Sequence, residues 1–443
     1  MNVSVEEQHQ WSVRKILCRL PLLLQEPRYV GAMALLLYLT ATQVFHLMHN
    51  MPPDVHGDVR LYHRTIQAVW DGQVPYRDFE LEYPPYALVW FILPGLWDTI
   101  GGFQIAFGIE LLVLDVILKG VLVWLAVKIA NGARPFLPAI LFALAGTFNE
   151  YFYLQRFDLI PAAITLAMAV AFWRQRYLLA GALLAFGTGC KLYPIIFLPP
   201  LLLLAWRRGR ASSFAAGVGL GLLPLAILGV FVPWWRFLAF HQYRGLQVES
   251  FYASGIWFLK LLGMTRATWD EVKAWREVGG AMAATVLPVA RALFLCAVAA
   301  SVAFTTWRVR RLKDVSQPDL ARLLLVPLSA FVAFNFVLSP QYLIWLAVLA
   351  AVAAMAGPLR NCLLLILAAI VIPVFFLASD YGHGFNLVET IVLIGRNLML
   401  LVAWGGFLRE IAADGFAGFV RPDEPGSAGL TADRLAPFGG CPS

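Results

Sequence analysis

The sequence predicts an all-α, polytopic integral membrane protein with about 11 to 13 membrane-crossing helices. Three observations predict it. Of the 443 residues, 60% are hydrophobic and only 14% charged, against about 25% charged in an ordinary soluble domain. The apolar runs are continuous and approach bilayer length, without the alternation of a membrane β-barrel, and mean hydropathy is +0.71. Basic residues also cluster at hairpin intervals: Arg14/Lys15/Arg19/Arg28, Lys128/Arg134, Arg174/Arg176, Arg207/Arg208/Arg210, Arg308/Arg310/Arg311/Lys313, Arg360 and Arg409. The positive-inside rule places these in the cytoplasm, which accounts for the net charge of +7 without an anionic partner. A soluble enzyme, a disordered chain and a nucleic-acid-binding module are excluded.

Taken in order, residues 1–29 read as a cytoplasmic segment. Trp11, Val13, Ile16, Leu17 and Leu20 with Arg14, Lys15 and Arg19 suit an amphipathic helix on the inner membrane face. No A-x-A-like site marks a cleavable signal peptide. Residues 30–408 form the membrane domain. Its expected spans are 30–49, 103–127, 135–148, 158–173, 178–189, 192–206, 214–232, 279–306, 323–338, 342–356, 361–378 and 386–408. Several fall short of the roughly 20 residues a perpendicular span needs, so they are expected to be buried in protein or to line a cavity. The apolar stretch 85–97 is either a re-entrant or interfacial helix or a further span. Residues 51–85 and 233–275 form external loops, and 409–443 a cytoplasmic tail expected to be disordered. Cys18, Cys190, Cys296, Cys362 and Cys441 are scattered, with no disulfide framework or zinc spacing.

Nearly all of the unusual polar sequences fall in the outward turns. The first loop carries Asp54, His56, Asp58, Arg60, His63, Arg64, Asp71, Arg77, Asp78, Glu80 and Glu82. Leu61, Ile66, Val69 and Trp70 make 58–70 an amphipathic interfacial helix, with Gly57 as the turn and Asp58 as a cap or a working carboxylate. Asp78, Glu80 and Glu82 would share one face of extended chain. Arg156 and Asp158 form an ion pair at the mouth of a span, either an interfacial anchor or part of a site. Lys191, beside Tyr193 and Pro194, either snorkels or waits for an anion such as phosphate. Residues 241–252 add Arg244, Gln247 and Glu249; 339–342 add Gln341 and Tyr342; 379–384 add Asp380 and His383. Six such turns on one side suggest an outward pocket. Asp54, His56 and Asp58 offer oxygen and imidazole to a divalent metal, but such short spacings arise often by chance; neither metal nor other cofactor is expected. No phosphate loop, dinucleotide fingerprint, HExxH or G-x-S-x-G element occurs.

GD-x-x-x-Y at 57–62 followed by DGQVPYRDFELEYPP at 71–85 resembles the first external loop of glycosyltransferase family 87, which contains polyprenyl-phosphate-mannose-dependent α-1,2-mannosyltransferases of the GT-C superfamily. RFDLIPA at 156–162, KLYP at 191–194, GLQVES at 245–250 and LSPQYLIW at 338–345 are also similar to that family. The resemblance covers roughly 30–408. It implies a GT-C-like enzyme of a bacterial cytoplasmic membrane. Such an enzyme moves a hexose, mannose above others, from a polyprenyl-phosphate donor to an envelope glycolipid or glycan on the outer face, with inversion. It also implies that the matching Asp58 is the base. Arg60, Arg156, Asp158, Lys191, Tyr193, Arg244, Gln341, Tyr342 and His383 are then candidates for holding the donor phosphate or sugar. Tyr62, Asp78, Glu82, Gln247 and Glu249 are candidates for orienting the loop or the substrate. The rival reading is a transporter or lipid flippase, for which Glu110, Asp115 and Lys119 on one helix are the relevant run; Asp115 and Lys119 also suit a buried i,i+4 pair.

Overall fold

The computed structural model describes residues 27–49, 57–129, 135–272, 275–312, 315–378 and 385–413. Most of the expected amphipathic N-terminal helix, the tail beyond 413, and Asp54, His56, Asp380 and His383 lie outside the described residues. The fold is α-helical and that of a multi-pass membrane protein. Its helices are α1 Pro27–His49, α2 Asp58–Trp70, α3 Ile100–Ile129, α4 Leu137–Thr147, α5 Leu159–Trp173, α6 Tyr177–Cys190 and α7 Leu198–Arg207. There follow α8 Ala211–Phe231, α9 Phe251–Leu261, α10 Ala281–Val309, α11 Gln317–Ala333, α12 Tyr342–Ala353, α13 Arg360–Ala378 and α14 Leu387–Ala412.

Among the described residues, four helices are long and apolar enough to cross a membrane: α1, α8, α10 and α14. They leave large apolar side chains uncovered, including Leu37, Tyr38, Val230, Phe231 and Leu295. That exposure is costly in water and expected against lipid tails. The shorter apolar helices sit inside. Every residue of α12 from Leu343 to Ala353 is buried, as is nearly all of α5 and α11, so these helices close their backbone hydrogen bonds within protein.

Polar caps start several helices. Ser250 accepts from the Ala253 N–H at α9, Ser316 accepts from Asp319 N–H at α11, and Asn386 with Glu389 forms a capping box at α14. Helices α6 and α8 cross closely because both present small residues. A Cβ on Gly217 would meet the Leu178 carbonyl, and one on Gly181 the Phe214 carbonyl. Gly217→Leu is therefore expected to destabilise the protein by about 3 kcal/mol, the upper range for overpacking. Thermal unfolding in detergent checks this against Gly219→Leu, where nothing lies within 4 Å of the added Cβ.

Within the polar run on α3, Asp115 and Lys119 are structural. Lys119 Nζ pairs with Asp115 Oδ2 at 2.5 Å and donates to Thr40 Oγ1 at 3.0 Å and Gln43 Oε1 at 2.7 Å, using all three of its donors. Tyr153 donates to Asp115 Oδ1 at 2.6 Å. The pair ties α3 to α1 and to the short turn Glu150–Tyr153, which removes the main support for a transport pathway.

The loops take definite shapes. The stretch 85–97 is not a span: it breaks into the turns Pro85–Leu88, Val89–Ile92 and Pro94–Leu96, because prolines interrupt it at both ends. The second external loop is not wholly irregular or helical, since Thr268–Val272 (β1) pairs antiparallel with Trp275–Gly279 (β2). The extended chain at Leu246 and Val248 hydrogen-bonds this hairpin through Val278 N–H to Leu246 O at 2.8 Å and Val248 N–H to Arg276 O at 3.2 Å.

Candidate active site

The start of α2, the start of α5, the end of α6 and the start of α12 meet at one end of the bundle. Gly57, in the first loop, has φ +77°, a conformation glycine adopts without steric cost. Gly57, rather than Asp58, occupies the cap position of α2, and Asp58 is the first helical residue. Its carboxylate turns across to Arg156, with Oδ1 3.0 Å from Nη1. The positive end of α2 and the guanidinium thus face the same carboxylate. A Cβ at Gly57 would lie 3.1 Å from Arg156 Nη2 and 3.2 Å from Nη1, so the missing side chain makes room for that pairing. Gly57→Ala is expected to lower stability by about 1–3 kcal/mol through backbone strain and to lower activity by displacing Arg156. Gly72→Ala carries a similar φ of +84° with nothing within 4 Å of the new Cβ, and should lower the melting temperature alone.

Arg156 and Asp158, expected to pair within their own element, each reach another segment. Asp158, fully buried at the start of α5, accepts from Lys191 Nζ at 2.6 Å. Lys191 leaves the end of α6 in extended conformation. Its ammonium lies 5.7 Å from the Tyr83 ring centroid, 5.1 Å from Tyr342 and 4.9 Å from Trp345, an aromatic surround that stabilises a cation. Burial pushes the Asp158 carboxyl up despite Lys191 beside it. For Lys191 burial works against the ammonium, but Asp158 and Tyr342 outweigh it and hold its pKa above the usual value.

The hydroxyl of Tyr62, wholly buried, is 3.5 Å from Asp58 Oδ2 and 3.1 Å from the Tyr83 hydroxyl, and accepts from the Phe157 N–H at 3.3 Å. Tyr62 stacks on Phe91 at 4.5 Å, so the turns at 85–96 wall the site. Glu82 Oε2 lies 3.7 Å from Arg244 Nη1. Burial, with the negative charge of Asp58 nearby, pushes the Glu82 carboxyl up to about 7, against the pull of Arg244 and Lys191. Burial, then the charges of Arg244 and Lys191, push the His241 imidazole down to about 4.

One pocket therefore gathers Asp58, Tyr62, Glu82, Arg156, Asp158, Lys191, Arg244 and Tyr342 from separate loops. Other candidates lie apart from it. Arg60 is exposed on the outer face of α2. Asp78 is in a turn, paired with Arg77 at 2.9 Å and accepting from the Val74 N–H at 2.7 Å; these bonds pull its carboxyl down to about 2. Asp78 lies within the turn 76–78, which also holds Tyr76 at φ +66°, so the three acidic residues do not lie along one extended strand. Tyr193 lies beneath the site, its hydroxyl 2.8 Å from Thr165 Oγ1 and donating to Pro161 O at 2.9 Å, its ring stacked 4.3 Å from Trp345. Gln341 bonds the Ser339 hydroxyl, and Gln247 pairs through its backbone with Phe336 O at 2.9 Å. Glu249 belongs to another cluster, with Arg396 donating to its carbonyl at 2.6 Å and lying 3.7 Å from its carboxylate. Tyr83, His241 and Trp345 join the pocket without a distinctive signal of their own; the alternation in EYPPY is the nearest hint of Tyr83.

Among the described residues no group of three or more His, Cys, Asp or Glu is arranged to hold a metal ion. Three cations, Arg156, Lys191 and Arg244, here face three carboxylates, Asp58, Asp158 and Glu82. The profile of glycosyltransferase family 87 matches residues 81–340. No curated protein matches the chain.

Proposed function

Because the chain belongs to glycosyltransferase family 87, and is thus a membrane glycosyltransferase, we propose that it transfers a hexose, mannose above others, from a polyprenyl-phosphate donor to an envelope glycolipid or glycan. The reaction runs on the outer face of a bacterial cytoplasmic membrane with a GT-C-type mechanism. The observation that supports this reading is that the Asp58 carboxylate, held by Arg156, shares one site with the Lys191 ammonium, held by Asp158 and an aromatic surround. A sugar phosphodiester carries one negative charge, a match for a fixed ammonium and guanidinium. Asp58 takes the proton of the acceptor hydroxyl as its oxygen attacks the anomeric carbon. The bond from that carbon to the phosphate oxygen breaks, its electron pair leaves with the phosphate, and the configuration inverts. Phosphate leaves without needing a proton, so one base suffices. Lys191, with two ammonium donors beyond the one given to Asp158, and Arg244 take up the developing phosphate charge.

Purified protein in liposomes, supplied with labelled polyprenyl-phosphate-mannose and an envelope-lipid extract, tests the reading. Label appearing in the extract supports it. Transfer only from a polyprenyl-phosphate donor carrying another hexose would overturn mannose. Failure with every such donor would overturn the donor class.

A further inference from the structure

Chain direction places a second polar feature at the end of the bundle opposite the pocket. Asp158 starts α5 and Lys191 follows α6, so the end of α5, the start of α6, the end of α7 and the start of α8 face the other way. Helix α10 ends there too. Arg207, the last residue of α7, donates through Nη1 to Val309 O at 2.6 Å and also to Leu312 O. Arg208 Nη1 donates to the Tyr177 hydroxyl at 3.2 Å. Two arginine side chains thus join the turns 174–177, 207–210 and 309–312 into one face.

That face is basic throughout. Arg174, Arg176, Arg207, Arg210, Arg310 and Arg311 are exposed on it, and none of the three turns contains Asp or Glu. At its edge the Lys128 ammonium and the Arg174 guanidinium lie 4.8 and 5.4 Å from the same Trp124 ring centroid. Among the described residues, the carboxylates at this end, Asp319 and Glu410, are both taken up by Arg322, at 3.8 and 3.2 Å. Like charges gathered on one face repel. The positive-inside rule asks for basic loops, but it does not ask three of them to meet; the contacts of Arg207 and Arg208 bring them together. An anion shared among the turns removes the repulsion.

Height in the membrane identifies the anion. Arg210 directly precedes α8 and Arg310 directly follows α10, two of the helices long and apolar enough to cross a membrane. Trp206 and Trp307, in the last turns of α7 and α10, are 67% and 41% exposed, as tryptophans at the headgroup level are. Cations that flank such helix ends meet lipid phosphates.

We propose that the face formed by 174–177, 207–210 and 309–312 is a binding site for anionic phospholipid headgroups, in the leaflet opposite the active site. The sign of the face selects the lipid. A zwitterionic headgroup brings an ammonium that the arginines repel, whereas a phosphodiester without an ammonium keeps its negative charge. Guanidinium groups also suit phosphate, since each can donate to two of its oxygens at once. The site is separate from the pocket and stands whichever sugar the pocket transfers.

Native mass spectrometry of the full chain in detergent, titrated with phosphatidylglycerol or with phosphatidylcholine of the same acyl chains, tests the site. Wild type is expected to retain phosphatidylglycerol in preference to phosphatidylcholine. Arg176, Arg210 and Arg310 take no part in the contacts that join the turns, so replacing all three with Gln should leave the fold intact. That triple variant should bind phosphatidylglycerol about 10²-fold more weakly, the effect of three cations beside an anionic surface. Arg64→Gln with Arg266→Gln removes exposed charges on the pocket side and should bind it as wild type does. Equal retention of the two lipids by wild type would overturn the proposal without any variant. Wild-type affinity in the triple variant, or an equal loss in the pocket-side control, would overturn it as well. Displacement of the lipid by inorganic phosphate at equal concentration would make this a site for free anions and overturn the headgroup assignment.

Discussion

Replacing Asp58 with Asn is expected to lower sugar transfer by about 10²- to 10⁴-fold, the range for removing a general base, while the protein stays folded. Asparagine keeps the size of the side chain and an oxygen that accepts from Arg156, so the 3.0 Å contact survives as a hydrogen bond without charge. What is lost is the ability to take a proton from the attacking hydroxyl. Donor KM should move little, because Lys191 and Arg244, not Asp58, face the phosphate in the proposed arrangement. The measurement is initial transfer rate in liposomes at several donor concentrations, with monodispersity and melting temperature as the folding check. Normal kcat in a folded Asp58→Asn protein would remove Asp58 from the centre of the chemistry.

The second large effect concerns Lys191, and its partner determines which variant to use. Lys191→Ala leaves the carboxylate of Asp158, which is 0% exposed, buried without its cation. Breaking such a pair costs about 3–5 kcal/mol, so lost activity would say nothing about donor binding. Lys191→Met combined with Asp158→Asn removes both charges, and replacing a whole buried pair is often close to neutral for stability. The double variant is expected to melt near wild type and to raise donor KM by about 10- to 100-fold, the effect of losing a charged hydrogen bond to phosphate. Donor KM equal to wild type in this folded protein would rule out Lys191 as a phosphate ligand. Lys191→Arg keeps the charge but puts a planar fork into an aromatic surround shaped for an ammonium, and should recover only part of the affinity.

These designs show why the pocket was only partly legible beforehand. Asp58, Arg156, Lys191 and Arg244 stand out because ionisable residues in outward turns of a very apolar chain are few. Their pairings do not. Arg156 and Asp158, two residues apart, would pair with each other on any local reading, yet one reaches α2 and the other the end of α6. Asp78 and Glu82 belong to one acidic run, yet one is bound to Arg77 at the surface and the other is mostly buried beside Arg244. Tyr83 looks like one aromatic among many until its hydroxyl is seen 3.1 Å from that of Tyr62.

What the sequence determines by itself follows from local energetics. Continuous apolar runs must become helices where no water can bond the backbone, prolines and glycines set their ends, and basic clusters alternate with polar turns along the chain. The helical membrane fold and the pool of polar residues follow from those terms. The tertiary structure decides which of these residues meet, because contacts such as Lys191 to Asp158, 33 residues apart, depend on how helices cross. Those crossings rest on steric detail, such as Gly217 against Leu178.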